Sequence, residues 1–157
     1  MSIVTFYRDD PSAPKTTRPT HLGVNAIITC DGRLLLEKRR DCDLWGLVGG
    51  GVKNHEKPIQ AIVREVREEL GLRIDGKRFK KLRIYDDRGR IAAYRDGSIW
   101  RMVIVAYSLE LDSVPEMTIS RESRQLRFFS REELADIPIV VTHSDIIQQW
   151  FFPQNEK

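Results

Sequence analysis

The feature that most constrains the fold is an amphipathic helix predicted for residues 57–70. Apolar residues recur there at the spacing i, i+3, i+4, i+7 and i+11, which puts them on one helix face: Ile59, Ile62, Val63, Val66 and Leu70. Pro58 in the first turn and Gly71 after the last apolar residue mark the two ends. We therefore expect a well-defined helix with a separate core face.

Three carboxylates lie off this apolar face and close together. Residues three and four apart are neighbours on a helix, so Glu65 meets both Glu68 and Glu69, at a cost of about 0.2–0.5 kcal/mol per pair. We expect Arg64 to relieve only Glu68, its i+4 partner. A hard divalent cation such as Mg²⁺ would remove the remaining repulsion and leave coordination sites open for phosphate. The alternative is a surface helix whose acids are solvated and partly paired with arginines.

A glycine run just before the helix completes a recognisable motif. Gly49, Gly50 and Gly51 are expected to form a loop that takes positive φ and brings backbone close to a ligand. The segment from Gly50 to Leu72 resembles the Nudix box, G-x5-E-x7-R-E-U-x-E-E-x-G-U, in which U is an apolar residue. Every specified position matches: Gly50, Glu56, Arg64, Glu65, Val66, Glu68, Glu69, Gly71 and Leu72. A chance match at one start position is of order 10⁻⁸ or rarer.

The resemblance implies a Nudix hydrolase that acts at phosphorus, on a nucleoside diphosphate linked to another group. It implies Mg²⁺ as cofactor, with Mn²⁺ as a substitute. By similarity to the family, Glu65 and Glu69 are expected to be metal ligands and Glu68 a ligand or an orienting neighbour. Arg64 is expected to hold the carboxylates in place, and Glu56 to brace the loop and Arg64.

The catalytic base is left open, because family members differ in its source. Glu122 resembles the acid that some members place in a loop facing the metals, ahead of a Phe128-Phe129 pair. A catalytic or metal role is one interpretation of Glu122. The other is an ordinary loop acid paired with Arg121 or Arg124.

Substrate contacts are expected from two places near the box. The resemblance brings Gly49, Gly50 and Gly51 close to the metal or the phosphate, and Trp45 lies just before them in the sequence. Tryptophan on a strand is more often core or rim, and that alternative stays open for Trp45.

Substrate identity is the least constrained inference. An Arg-Asp-Gly turn at residues 95–97 before a long strand, with an acid before Phe-Phe-Ser, resembles relatives that act on ADP-ribose or similar sugar nucleotides. One alternative is a nucleoside triphosphate pyrophosphohydrolase that removes oxidised nucleotides or trims RNA 5′ ends. Another, from a different class, is a non-catalytic module that senses a nucleotide.

Length and composition favour one small domain. The 157 residues, 41% of them hydrophobic, suit a single domain, and with the resemblance we expect an extended arm at 1–20 and a single Nudix domain at 21–157. No apolar run approaches the roughly 18 residues of a membrane span, and no signal peptide is evident, so we expect a cytoplasmic protein without a membrane partner. The net charge of +3 suits a small anionic nucleotide but is too mild to indicate nucleic-acid binding. Dimers are common in this family, and a homodimer is a further expectation.

Strand and helix patterns alternate along the rest of the chain. The residue patterns predict strands at 22–29, 34–38, 44–48, 78–85 and 100–109. Capping-box spacings predict helix starts at Ser130 and Thr142. Together with the resemblance, this order predicts the α/β (α+β) class: a Nudix-type α/β/α sandwich with a mixed sheet between helices.

Overall fold

A computed structural model describes residues 2–152 of the chain. The strands in that range are β1 (Val4–Arg8), β2 (His21–Cys30), β3 (Arg33–Arg39), β4 (Trp45–Gly46), β5 (Val48–Gly51), β6 (Lys80–Tyr85), β7 (Arg90–Tyr94), β8 (Ile99–Leu111) and β9 (Ser123–Phe129). The helices are α1 (Pro58–Leu70), α2 (Arg131–Leu134) and α3 (Val141–Trp150), and a short 3₁₀ turn spans Gly76–Arg78.

The strands form one mixed sheet whose main path runs β1-β7-β8-β2-β3-β4. β2 and β8 are parallel neighbours, with His21 opposite Met102, while the other strand pairs are antiparallel. β5, β6 and β9 pair with β2, β8 and β3. In the β2–β5 pair, Gly50 lies opposite Val24, so the glycine run is held in the sheet just before α1.

Helices cover both faces of this sheet. Successive side chains of a strand point to opposite faces. Ala26, Ile28 and Leu35 pack with α1 in one buried cluster, whereas Ile27 and Leu34 pack with α2 and α3 in another. The predicted α/β/α sandwich with a mixed sheet is therefore confirmed. None of the helices within residues 2–152 combines the length and the hydrophobicity that a membrane-spanning helix requires.

The two ends of α1 lie where the sequence placed them, within one residue. At the start, the peptide N–H of Lys57 donates to Oε1 of Gln60 at 2.8 Å. At the end, Gly71 takes φ 72° and its N–H donates to the carbonyl of Arg67 at 2.9 Å. Glycine suits this left-handed conformation because it has no Cβ.

One of the two predicted capping boxes is present. The N–H of Glu133 donates to Oγ of Ser130 at 3.3 Å, and the N–H of Ser130 donates to Oε1 of Glu133 at 2.9 Å. The box predicted from Thr142 is wrong, because α3 begins at Val141 and Thr142 is buried inside it. The carbonyl of Thr142 accepts a hydrogen bond from the buried Arg90, so packing rather than capping sets this helix start.

The segment expected to be an extended arm contains a strand of the sheet. β1 pairs with β7, with Phe6 opposite Ala92. The N–H of Ile3 donates to the carbonyl of Asp41 at 2.6 Å, which joins β1 to the turn after β3. Phe6 of β1 lines a cavity together with Gly49 and Gly50 of the glycine strand. The division into arm and domain stays a prediction.

Candidate active site

Arg64 lies at the centre of a hydrogen-bond network that joins α1 to the glycine strand. Its guanidinium donates twice to Glu56, at 2.8 and 3.0 Å. Nη1 donates to Glu65 at 2.8 Å and to Glu68 at 3.1 Å, and Nη2 donates to the carbonyl of Gly51 at 2.8 Å. The expectation that Arg64 relieves only Glu68 is wrong, because the planar guanidinium reaches several acceptors at once.

Glu56 holds the turn before α1 as well as Arg64. Its Oε1 accepts a hydrogen bond from the N–H of Lys53 at 3.0 Å. The Arg64 guanidinium lowers the pKa of Glu56 to about 2, so this carboxylate stays ionised at neutral pH. In this arrangement Glu56 contacts the turn and Arg64, the two elements that it was expected to brace.

The glycines before α1 lie in strand β5 rather than in the predicted loop. A Cβ on Gly49 would lie 1.9 Å from the carbonyl oxygen of Val24, and one on Gly50 would lie 2.4 Å from Oε1 of Glu65. Both distances are far below van der Waals contact. Close approach, rather than a loop with positive φ, is what requires glycine at position 50.

Two of the three helix carboxylates are buried and one is not. Glu65 is 7% exposed and Glu69 is 3% exposed, whereas the side chain of Glu68 is 47% exposed. Burial raises the pKa of Glu65, although Arg64 opposes the shift. The burial of Glu65 and Glu69 places them between the helix and the sheet, facing the β5 backbone and β3 respectively.

Glu37 on β3 is a buried acid that the sequence analysis missed. Its carboxyl group faces that of Glu69, and burial together with Glu37 raises the pKa of Glu69 to about 9. Ser120 donates to Glu69 at 3.0 Å, and Ser123 donates to Glu37 at 2.7 Å. A signal was present: Glu37 follows Leu35 by two residues and therefore shares the strand face that packs beneath α1.

Glu122 lies in the loop before β9 and belongs to the same cluster. Its N–H donates to Oγ of Ser120 at 3.2 Å, and Ser120 in turn contacts Glu69. Burial is the largest cause of the raised pKa of Glu69, and the carboxylate of Glu122 adds to it. Arg124, one of the predicted partners of Glu122, instead pairs with Asp43 at 3.2 Å.

The donor atoms of this cluster are oxygens, which suit a hard divalent cation. The positions of the side chains do not form a coordination shell. Within residues 2–152, no group of three or more Asp, Glu, His or Cys side chains is positioned to hold a metal ion. The oxygens of Glu65 and Glu69 are engaged by Arg64 and Ser120. Glu37, Glu69 and Glu122 nevertheless bring several carboxyl oxygens together, and Mg²⁺ and Mn²⁺ prefer oxygen ligands of this kind.

Trp45 lies in the core rather than at the cavities that the glycine strand borders. It is 6% exposed, and its ring packs edge-to-face on Phe129 with centroids 4.8 Å apart. The core alternative therefore describes Trp45, and a nucleobase has no access to its ring. We do not retain Trp45 as a substrate contact.

Tyr94 is an aromatic residue that does border the site. Two adjoining cavities, of about 150 and about 400 Å³, share Tyr94, Gly49 and Gly50 in their walls. Glu37 and Glu122 line the larger cavity. The carboxylate cluster therefore opens into a space in which an extended ligand can contact both acids and an aromatic ring.

Comparison with known proteins places the chain in a family. The NUDIX domain family model matches residues 19–150, which include the glycine strand and all the carboxylates described above. The nucleoside triphosphatase NudI of Escherichia fergusonii is 30% identical over 121 residues, which are 73% of this chain and 85% of that protein. A relative from Mycobacterium tuberculosis is 33% identical over 107 residues. This chain spans only 45% of the length of that relative.

Solved structures share the fold. A bifunctional NMN adenylyltransferase/ADP ribose pyrophosphatase from Francisella tularensis superposes with a TM-score of 0.68, covering 90% of this chain and 42% of that chain. At 22% identity, this likeness concerns the fold alone. The family assignment rests on the sequence model, which spans β2 to α3 and the entire carboxylate cluster, and the chain therefore belongs to the NUDIX domain family.

Proposed function

We propose that this protein is a hydrolase that cleaves the diphosphate linkage of a nucleoside diphosphate derivative, with Mg²⁺ or, as a substitute, Mn²⁺. One observation carries the proposal. Arg64 fixes Glu65 beneath the backbone of Gly50, and this group adjoins Glu69 and Glu122. Hydrolysis at phosphorus requires neutralised phosphate oxygens and a positioned water, and a carboxylate cluster next to an open cavity is suited to both.

Each acid has a proposed task. Glu65 and Glu69 would hold the cation, and the more exposed Glu68 would bind or orient it from the edge. The charge-assisted hydrogen bond from Arg64 fixes the carboxylate of Glu65, which lowers the cost of ordering it when ligands bind. A bound divalent cation supplies charge neutralisation at the phosphate and lowers the pKa of a bound water.

The substrate is proposed to lie along the glycine strand. The peptide groups of Gly49, Gly50 and Gly51 would approach the phosphate or the cation, because all three line the smaller cavity and carry no side chain of their own. Tyr94 replaces Trp45 as the aromatic candidate for contact with the nucleoside.

Glu122 is the proposed general base that accepts a proton from the attacking water. Its support is the loop contact with Ser120, which places this acid next to Glu69 at the cavity wall. The dependence of kcat on pH, measured for wild type and Glu122→Gln, tests this role. We expect the variant to lose the acidic limb of the profile, and an unchanged profile excludes Glu122 as the base.

We place a nucleoside triphosphate first among substrates. NudI, named as a nucleoside triphosphatase, is a relative that matches most of both sequences. ADP-ribose is the second candidate, favoured by the resemblance of the Arg95-Asp96-Gly97 turn and the Phe128-Phe129 region to relatives that use it. Nucleic acid and membranes are not among the proposed partners.

A Mg²⁺-dependent screen separates these candidates. The panel contains normal and oxidised nucleoside triphosphates, ADP-ribose, other sugar nucleotides and RNA with a 5′ triphosphate. Release of pyrophosphate from a nucleotide supports the first candidate, and release of AMP and ribose 5-phosphate supports the second. Inhibition by competing RNA would indicate 5′-end trimming, and tight nucleotide binding without metal-dependent turnover would indicate a sensing module.

A further inference from the structure

A cation lines the same cavity as the carboxylates. Arg40 follows β3 directly and borders the cavity of about 400 Å³ together with Glu37, Gly50 and Glu122. The peptide N–H of Arg40 donates to the carbonyl of Glu122 at 3.0 Å. This bond ties the backbone that carries the guanidinium to the loop that carries the proposed base.

Neighbouring cations are neutralised by acids, whereas Arg40 is not. Arg39 forms a two-bond ion pair with Asp41, at 2.9 and 2.6 Å. Arg124 pairs with Asp43 at 3.2 Å. In the part of the chain that the structure describes, no carboxylate forms an ion pair with Arg40, and its side chain is exposed.

An unpaired guanidinium in this position can bind an anionic group that enters the cavity. The acids Glu37 and Glu122 in the cavity wall repel a polyphosphate, and one cation bound at the carboxylate cluster can neutralise only the phosphates that it touches. A further phosphate in the cavity needs a second positive group. Guanidinium suits this task because it donates two parallel hydrogen bonds to phosphate oxygens and stays charged at all relevant pH values.

We propose that Arg40 selects triphosphate substrates by binding the phosphate group that is not held at the carboxylate cluster. ADP-ribose presents a neutral sugar where a nucleoside triphosphate presents its third phosphate, so Arg40 favours the triphosphate. This inference rests on the proposed function, because it concerns the choice of substrate at the same site. Arg40 contacts the substrate in this account but takes no part in moving protons.

The test compares Arg40→Gln with a matched control, Arg124→Gln. Both changes remove one positive charge from the same side of the protein, but only Arg40 borders the cavity. We expect Arg40→Gln to raise KM for a nucleoside triphosphate by about 10- to 100-fold, the usual weight of a hydrogen bond to a charged group. KM for ADP-ribose and kcat for both substrates should stay near wild type, as should every constant of Arg124→Gln.

Arg40→Lys adds a second comparison. Lysine keeps the charge but not the two-pronged geometry, so we expect a KM for the triphosphate between those of wild type and Arg40→Gln. An equal loss with both substrates, or wild-type constants for Arg40→Gln, overturns the proposal. The second result would make Arg40 an ordinary solvated surface arginine.

Calorimetry measures substrate binding directly and tests the proposal even if no hydrolysis is detected. The probe is an α,β-methylene nucleoside triphosphate, which cannot be cleaved at that bond, titrated with Mg²⁺ into wild type and Arg40→Gln. Weaker binding by the variant supports the proposal, and equal affinity or no binding to wild type overturns it. A wild-type protein that binds the probe through Arg40 but hydrolyses no substrate would contradict the proposed function alone.

Discussion

Arg64 holds Glu56 in a two-bond ion pair, with Nε 2.8 Å from Oε2 and Nη2 3.0 Å from Oε1. The same guanidinium donates to Glu65 and to the carbonyl of Gly51. Arg64 therefore connects the turn before α1, the glycine strand and a buried acid of the proposed cation site. The position of Glu65 depends on this one side chain, which makes Arg64 a sensitive point for mutation.

Replacing Arg64 with lysine should reduce turnover far more than stability. An ammonium group cannot reproduce the fork that bonds Glu56, Glu65 and Gly51 together, and loss of such supporting contacts commonly costs about 10- to 100-fold in activity or metal affinity. The measurement is kcat with the best substrate, alongside a thermal melt. Arg67→Lys, an exposed change one turn along the same helix, is the control and should leave kcat unchanged. Wild-type kcat in Arg64→Lys would contradict the bracing role.

Replacing Gly50 with alanine should damage the site while leaving the fold intact. The new Cβ would lie 2.4 Å from Oε1 of Glu65, whose carboxylate is held by Arg64, so the methyl group and the acid cannot both keep their places. We expect a loss of at least about ten-fold in turnover with a small change in melting temperature. Gly76→Ala is the matched control, because a Cβ there meets its nearest neighbour at 3.6 Å. If both variants lose activity equally, contact with Glu65 is not the cause.

Divalent cations should stabilise the folded protein. Burial and Glu37 raise the pKa of Glu69 to about 9, so a cation that binds there takes the place of the proton on Glu69, and binding to the folded state alone stabilises it. Thermal melts with Mg²⁺ or Mn²⁺ should give a higher melting temperature than melts in KCl of matched ionic strength, and EDTA should reverse the increase. Glu69→Gln should abolish the response, and an undiminished increase in that variant would place the cation elsewhere.

His143 should make the protein sensitive to mild acid. It is only 4% exposed, its Nδ1 accepts the N–H of Leu47 at 3.1 Å, and burial lowers its pKa to about 3 from 6.5. Because the folded pKa lies below the unfolded one, this contribution to stability is complete above pH 6.5 and is lost as pH falls from 6.5 towards 3. The loss approaches about 1.4 kcal/mol per pH unit.

Urea unfolding at a series of pH values measures this effect. His143→Asn keeps an oxygen that can accept the Leu47 N–H but has no group that titrates in this range. We expect the free energy of unfolding of the variant to fall less steeply between pH 6.5 and 5 than that of wild type. An identical slope would assign the acid sensitivity to other groups.

Local patterns in the sequence predicted α1 and its carboxylates well, because helix periodicity and end signals depend on neighbouring residues. Glu37 was not predicted, because its contact with Glu69 depends on how β3 packs beneath α1. These two segments are distant in the sequence, and local patterns do not fix their packing. The same reason applies to the strand at Val4–Arg8, whose partner β7 lies far along the chain. The extra bond from Arg64 to Glu65 depends on a rotamer, which spacing does not fix.

Burial in the core also determines the positions of two residues whose roles the sequence left open or predicted wrongly. Trp45 precedes the glycine strand, but its ring is drawn onto Phe129 in the core. Thr142 has the spacing of a helix cap, but packing around Arg90 starts the helix earlier and buries Thr142 within it. In both cases tertiary packing outweighs a local signal.

Hydrolysis by Glu69→Gln is the most direct test of the proposed cation-dependent chemistry. Glutamine resembles the neutral form of this buried acid and can still accept the hydrogen bond from Ser120, so the variant should fold as wild type does. With the best substrate of the screen and saturating Mg²⁺, we expect almost no turnover, because the variant lacks one of the proposed carboxylate ligands. A folded variant that keeps more than about a tenth of the wild-type rate would contradict the assignment of Glu69 and with it the proposed site.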